Sequence, residues 1–167
     1  MNIKFYGFAA LFATICCAQN AVAFDTPHGW KMTQTRDAIT YEPADADSHE
    51  TCVIIAPPFP AKGMNAVATL KDMAESADAF SLEDSDGIHK KGDRAAMMIK
   101  RQTVEGPARI TFTAWPVGKA QMRVIVFLIK DDAALRQRYQ QTADKIIEAQ
   151  YAEDHPAAAS AKKQAAF

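Results

Sequence analysis

The chain has 167 residues, 49% hydrophobic and 23% charged, with 19 Lys and Arg against 20 Asp and Glu for a formal net charge of −1. So near-neutral a balance argues against a nucleic-acid binder, whose domains carry a basic excess to neutralise phosphates. The length suits one domain with a single core.

The first 23 residues carry the three zones of an export signal: Lys4, an apolar stretch from Phe5 to about Cys17, and the small-residue end Ala21-Val22-Ala23. Cleavage after Ala23 would leave 144 residues. Lys4 leaves with the signal, so the mature chain carries 18 basic residues against 20 acidic ones. The expected location is the periplasm or the medium. An uncleaved N-terminal anchor is the alternative, but the apolar stretch falls short of the roughly 20 residues of a membrane span, so an integral membrane protein is not expected. Neither Cys16 nor Cys17 has the preceding Leu and small residue of a lipid-attachment site. Cys52 is then the one cysteine of the mature chain and has no internal disulfide partner. Its expected role is that of a small buried hydrophobe. A reactive thiol or an intermolecular disulfide is the alternative.

After Pro27-His28-Gly29-Trp30 the pattern gives two short strands, Lys31 to Arg36 and Ile39 to Tyr41, then an acidic turn from Glu42 to Glu50. A third strand, Cys52 to Ala56, ends at Pro57-Pro58-Phe59-Pro60, where prolines lack the N–H of a sheet ladder. From Asn65 to about Phe80 the apolar positions Val67, Leu70, Met73, Ala74, Ala77 and Phe80 recur at helical spacing. Asp84-Ser85-Asp86-Gly87 reads as a turn. Three strands follow, Arg94 to Thr103, Arg109 to Trp115 and Gln121 to Lys130. The last contains the apolar run Val124 to Ile129, which predicts a central strand buried on both faces. A second helix runs from Asp131 to about Ala152, with Leu135, Tyr139, Ala143, Ile146 and Gln150 on one stripe. Residues 155–167 are expected to be a disordered tail.

These elements define a single α+β domain over residues 24–154, in the order βββαβββα. Its mainly antiparallel sheet would have a helix packed on each face. Placing both helices on one face is the alternative, and the Val124 to Ile129 run speaks against it. The Gly29-Trp30 opening and this element order resemble the small secreted PsbP-like and DcrB-like domains of bacteria, over most of residues 27–150. The resemblance implies a binding, assembly or chaperone-like module without catalytic residues.

No catalytic residue is assigned. A Gly-x-Ser-x-Gly turn is absent, and Cys52 sits in an apolar strand and not at a positively charged helix terminus. His28, His49, His89 and His155 show no paired ligand spacing, so neither a metal nor a cofactor is expected. Asp84, Asp86, Gly87 and Asp93 partly imitate a calcium loop, but its first position falls on Leu82, which offers no side-chain oxygen. The basic segment His89, Lys90, Lys91, Gly92, Asp93 and Arg94, followed by Lys100-Arg101, is a candidate anion site. Phe59 is a candidate apolar contact on a stiff proline stem, or it folds back on the core edge. The expected partner is a protein or a small anionic ligand. The rival reading is a periplasmic hydrolase using carboxylates and a histidine of the loops Glu42 to Glu50 or Asp84 to Asp93.

Overall fold

The computed structural model describes residues 25–46, 50–61, 63–76, 85–103 and 106–156. The signal segment, Ser48-His49, Ala77, Phe80, Leu82, Asp84 and the tail from residue 157 lie outside them. The fold is α+β. Eight strands form one antiparallel sheet: β1 Trp30–Gln34, β2 Ile39–Pro43, β3 Thr51–Ile55, β4 Phe59–Pro60, β5 Ser85–Lys91, β6 Arg94–Thr103, β7 Gly106–Val117 and β8 Gln121–Lys130. Two helices, α1 Ala66–Ser76 and α2 Ala133–Asp154, follow β4 and β8. The strand path is β1-β2-β3-β8-β7-β6-β5, with β4 pairing β8 beside it.

Two strands go beyond the expected order, and both arise where the sequence offers punctuation. The proline segment does not simply stop pairing, because Phe59 and Pro60 align with Met122 and Gln121 of β8. The segment read as a turn and basic loop is strand β5, paired from Ser85 to Lys91 with Ile99 to Arg94. The Asp86-Gly87 signal falls at a bulge between Ser85 and Ile88, where Gly87 takes φ 84°. Gly92 and Asp93 alone make the turn to β6, with Gly92 at φ 65°. Glycine in the first of two central positions gives the backbone twist that a tight hairpin needs.

β8 stands between β3 and β7, in the middle of the sheet, as its apolar run requires. Alternation along it sends successive side chains to opposite faces. Ile125, Phe127 and Ile129 join a cluster with Tyr41, Val53, Ile55, Trp115 and the α2 residues Tyr139, Ala143, Ile146 and Ile147. Met122 and Val124 join a second cluster with Ala95, Met97, Ile99, Ile110, Phe112 and the α1 residues Ala66, Leu70 and Ala74. The run is not buried throughout: Val126 and Leu128 are only half-buried. The reason is the position of α1, whose contacts fall on β5, β6 and β7 and not over the middle of β8.

Helix α2 begins where Asp132 caps it, accepting from the Leu135 amide at 2.9 Å. Asp131 is engaged elsewhere, taking Arg109 Nε at 2.6 Å and an ion pair from Arg136. At the other end His155, expected in the tail, closes the helix with its N–H on the Ala152 carbonyl and its ring stacked on Tyr151 at 4.2 Å.

Candidate binding face

The polar interior lies at the C-terminal end of α2. Arg123 grips Asp154 through two bonds, Nε to Oδ2 at 2.9 Å and Nη2 to Oδ1 at 2.8 Å, and gives Nη1 to the Ala56 carbonyl at 2.9 Å. Trp115 Nε1 adds a bond to Asp154 at 2.8 Å. The Arg123 and Asp154 side chains are only 8% and 7% exposed. A carboxylate at a helix C-terminus opposes the helix dipole, and the bidentate arginine offsets that. Beside it, Glu153 is pushed above the usual carboxylate range by burial and by the Asp154 charge, with Arg123 and Gln150 pulling the other way. Tyr41 is raised by burial and by Glu153. Every donor of this cluster is directed at the sheet or at the helix, so its chemistry is that of a clamp.

A second set ties the β5–β6 turn to the same helix end. Tyr151 donates to Asp93 at 2.8 Å, and His155 Nε2 stands 3.2 Å from the other Asp93 oxygen. The Arg94 guanidinium lies 3.9 Å from the Tyr151 ring centroid and binds Glu148 at 2.5 Å. Burial and the bond to Asp93 raise the Tyr151 hydroxyl above its ordinary value.

The hairpin sorts the sequence-derived candidates by strand parity. Ala95, Met97 and Ile99 point into the α1 cluster, so Arg94, Ala96, Met98 and Lys100 lie on the opposite face. His89 and Lys91 share that face, because they pair with Ala96 and Arg94. A shallow depression of about 160 Å³ is bounded by His89, Lys91, Arg94, Ala96, Thr113 and Glu148. Lys90 lies on the other face, beside Asp93, Pro116 and the start of α1. Arg101 goes with Lys90 by the same alternation. Phe59, on β4, is half-buried against the α1 cluster and so does not share the His89 face.

Register adds residues that the sequence did not single out. Thr113, Thr111 and Arg109 of β7 pair with Ala96, Met98 and Lys100, extending the His89 face across three strands. On this face nothing is fully buried until Trp115, whereas Ala108, Ile110, Phe112 and Ala114 behind it are all buried. Arg109 is committed to Asp131 and Arg94 to Glu148, while His89, Lys91 and Lys100 are exposed and form no ion pair among the described residues. Period-two parity read along an assumed β5 would have separated His89 and Lys91 from Lys90, but Glu148 and the β7 threonines needed the register itself.

Among the described residues no three His, Cys, Asp or Glu side chains gather as a metal site would require. No helix of the described residues is long and apolar enough to cross a membrane. Comparison with protein-family models and with curated proteins finds no match for this chain.

Proposed function

We propose that the protein is an exported, non-enzymatic binding module that engages its partner through the β5–β7 face bearing His89, Lys91, Arg94 and Lys100. The observation that carries this reading is that Lys91 and Lys100, exposed and without an ion pair among the described residues, flank a half-buried floor of Ala96, Met98, Thr111 and Thr113. Export rests on the Lys4 to Ala23 pattern. The PsbP-like and DcrB-like resemblance gives the same functional class. We read the architecture as one helix over each face, set over opposite halves of the sheet, which the separate cluster memberships of α1 and α2 support. That offset is what leaves the basic half-face uncovered by either helix.

The hydrolase alternative finds no favouring observation among the described residues. Asp154 is saturated by Arg123 and Trp115, and the Cys52 thiol is pushed up to about 12 by burial and the Glu42 charge. The depressions beside Lys90 and beside His89 are shallow, of about 140 and 160 Å³. Ligand sites for drug-sized molecules run to roughly 300–1,000 Å³.

Lysine acetylation tests the reading. In a periplasmic extract Lys91 and Lys100 should be acetylated severalfold more slowly than in the purified protein. Lys71, exposed on α1 beside Glu75, should keep its rate. Equal rates at all three lysines with and without extract would discard this face as the contact.

A further inference from the structure

We infer that the occupant of this face is an extended, acidic protein segment laid along β6, and not a single small anion. The inference rests on the binding-face reading above and adds the chemistry of the partner.

The first argument is the spacing of charge. Arg94 opens β6 and Lys100 lies six residues along it, which at strand rise is about 20 Å. His89 and Lys91 lie on β5 and Arg109 on β7, so the cations also spread over about 10 Å across three strands. The depression bounded by His89, Lys91 and Arg94 lies at one end of this span and Lys100 at the other, so one phosphate or carboxylate does not meet both. A chain with carboxylates at every second residue repeats at nearly 7 Å and meets them in series. Two of the five already hold acids of this chain, Glu148 on Arg94 and Asp131 on Arg109. The exposed fixed charges of this face that form no ion pair among the described residues are therefore Lys91, beside His89 on β5, and Lys100, further along β6.

The floor narrows the class further. Between the cations lie Ala96, Met98, Thr111 and Thr113, all half-buried. Threonine hydroxyls bond to peptide groups, and methionine adapts to varied side chains. Stacking on bases or sugar rings needs an exposed aromatic face, and the aromatics near this surface are engaged: Trp115 is fully buried, and Tyr151 lies between Arg94 and His155. A lipid surface needs apolar side chains to insert, and the exposed large hydrophobic among the described residues is Met64, beside the start of α1. Strand addition at the sheet edge is disfavoured too, because β5 is bulged and lysine-bearing, the features that block edge pairing. A protein segment held by side chains on the face is what remains.

The test follows amide shifts of the full chain by NMR during titration with an oligoglutamate peptide of about ten residues. Parallel titrations use inorganic phosphate and phosphatidylglycerol-containing vesicles. The peptide should move amides of β5, β6 and β7 on this face, and its affinity should fall at least tenfold between about 50 and about 200 mM salt. Lys91→Glu with Lys100→Glu should weaken it at least tenfold while leaving the melting temperature unchanged, because both side chains are exposed. Lys71→Glu should have no effect. Phosphate binding as tightly as the peptide, or sedimentation with the vesicles, overturns the acidic-segment inference. So does indifference to the peptide. If the two lysines are still protected in extract, the binding face stands without this occupant; if protection is also lost, both readings fall.

Discussion

Burial is the first cause of the shifts at Cys52 and Glu153, whereas at Asp131 a hydrogen bond outweighs it. Cys52 is 7% exposed, and its thiol is raised to about 12 by burial first and by Glu42 second. Since the thiolate is the reactive form, labelling of the native chain at pH 8 should be far slower than after unfolding. Native labelling at the rate of a free thiol would overturn that assignment. Two carboxylates have opposite shifts and should respond oppositely to pH. Arg109 holds Asp131 below the usual range through its hydrogen bond, aided by the charges of Arg109, Arg136 and Lys100 and opposed by partial burial. A depressed acid stabilises the fold above its unfolded value, near 3.9, and the contribution is lost as pH falls through the folded value. Asp131→Asn should therefore have a lower urea midpoint than the parent at pH 7, and the gap should close near pH 2. Glu153 is raised, so its ionisation opposes folding at neutral pH, and the opposition vanishes below the unfolded value near 4.3. Glu153→Gln should be more stable at pH 7 by less than about 1 kcal/mol, because the residue is exposed overall, and equal to the parent at pH 3. The same sign for both variants at pH 7 would contradict this account.

Elements with strong local pattern and clear punctuation were legible in the sequence. β6 spans Arg94–Thr103 and β8 spans Gln121–Lys130, as the turn residues on either side of each indicate. The α2 stripe was legible for the same reason: Tyr139, Ala143, Ile146 and Gln150 recur at helical spacing, and all are buried. Strand β5 was not, because Ser85-Asp86-Gly87-Ile88-His89-Lys90-Lys91 offers one apolar side chain and a turn dipeptide. Its strand conformation comes from the ladder with β6, a tertiary cause that no local signal carries. The candidate site was legible in part for this reason. The basic cluster was visible, but reading it as a loop merged Lys90 with His89 and Lys91, which stand on opposite faces of a strand. Its extension to Thr111, Thr113 and Arg109 depends on the β6–β7 register, with paired positions nine to seventeen residues apart. Tyr151, partly buried beside the α2 cluster, and Glu148 were not among the stripe positions read from the sequence, and their contacts with Asp93 and Arg94 come from the docking of the helix end.

For the whole molecule, the proposed placement of the two helices, offset on opposite faces, would impose a diagonal pattern of tolerance to charge. Ile125 is fully buried in the α2 cluster, and Met97 is fully buried in the α1 cluster. Their strand neighbours Val126 and Met98 point to the opposite faces and are only half-buried. Replacing Ile125 or Met97 with Asp buries an unpaired carboxylate at a cost of several kcal/mol, comparable to the ~5–15 kcal/mol that holds a domain together. Neither variant should yield a folded soluble protein. Val126→Asp and Met98→Asp leave the carboxylate a route to water and should melt cooperatively, with a loss on the order of 1–3 kcal/mol. The position of each tolerated site discriminates between arrangements. Two helices on one face would spare one whole face, making a buried member of the set, Ile125 or Met97, tolerant. A sheet covered throughout on both faces would make all four variants fail. Failure of Met98→Asp alone would mean that the β5–β7 half-face is closed in solution, which would remove the surface on which the binding proposal depends. Thermal melts of the four variants side by side therefore test the architecture and the accessibility of the basic face together.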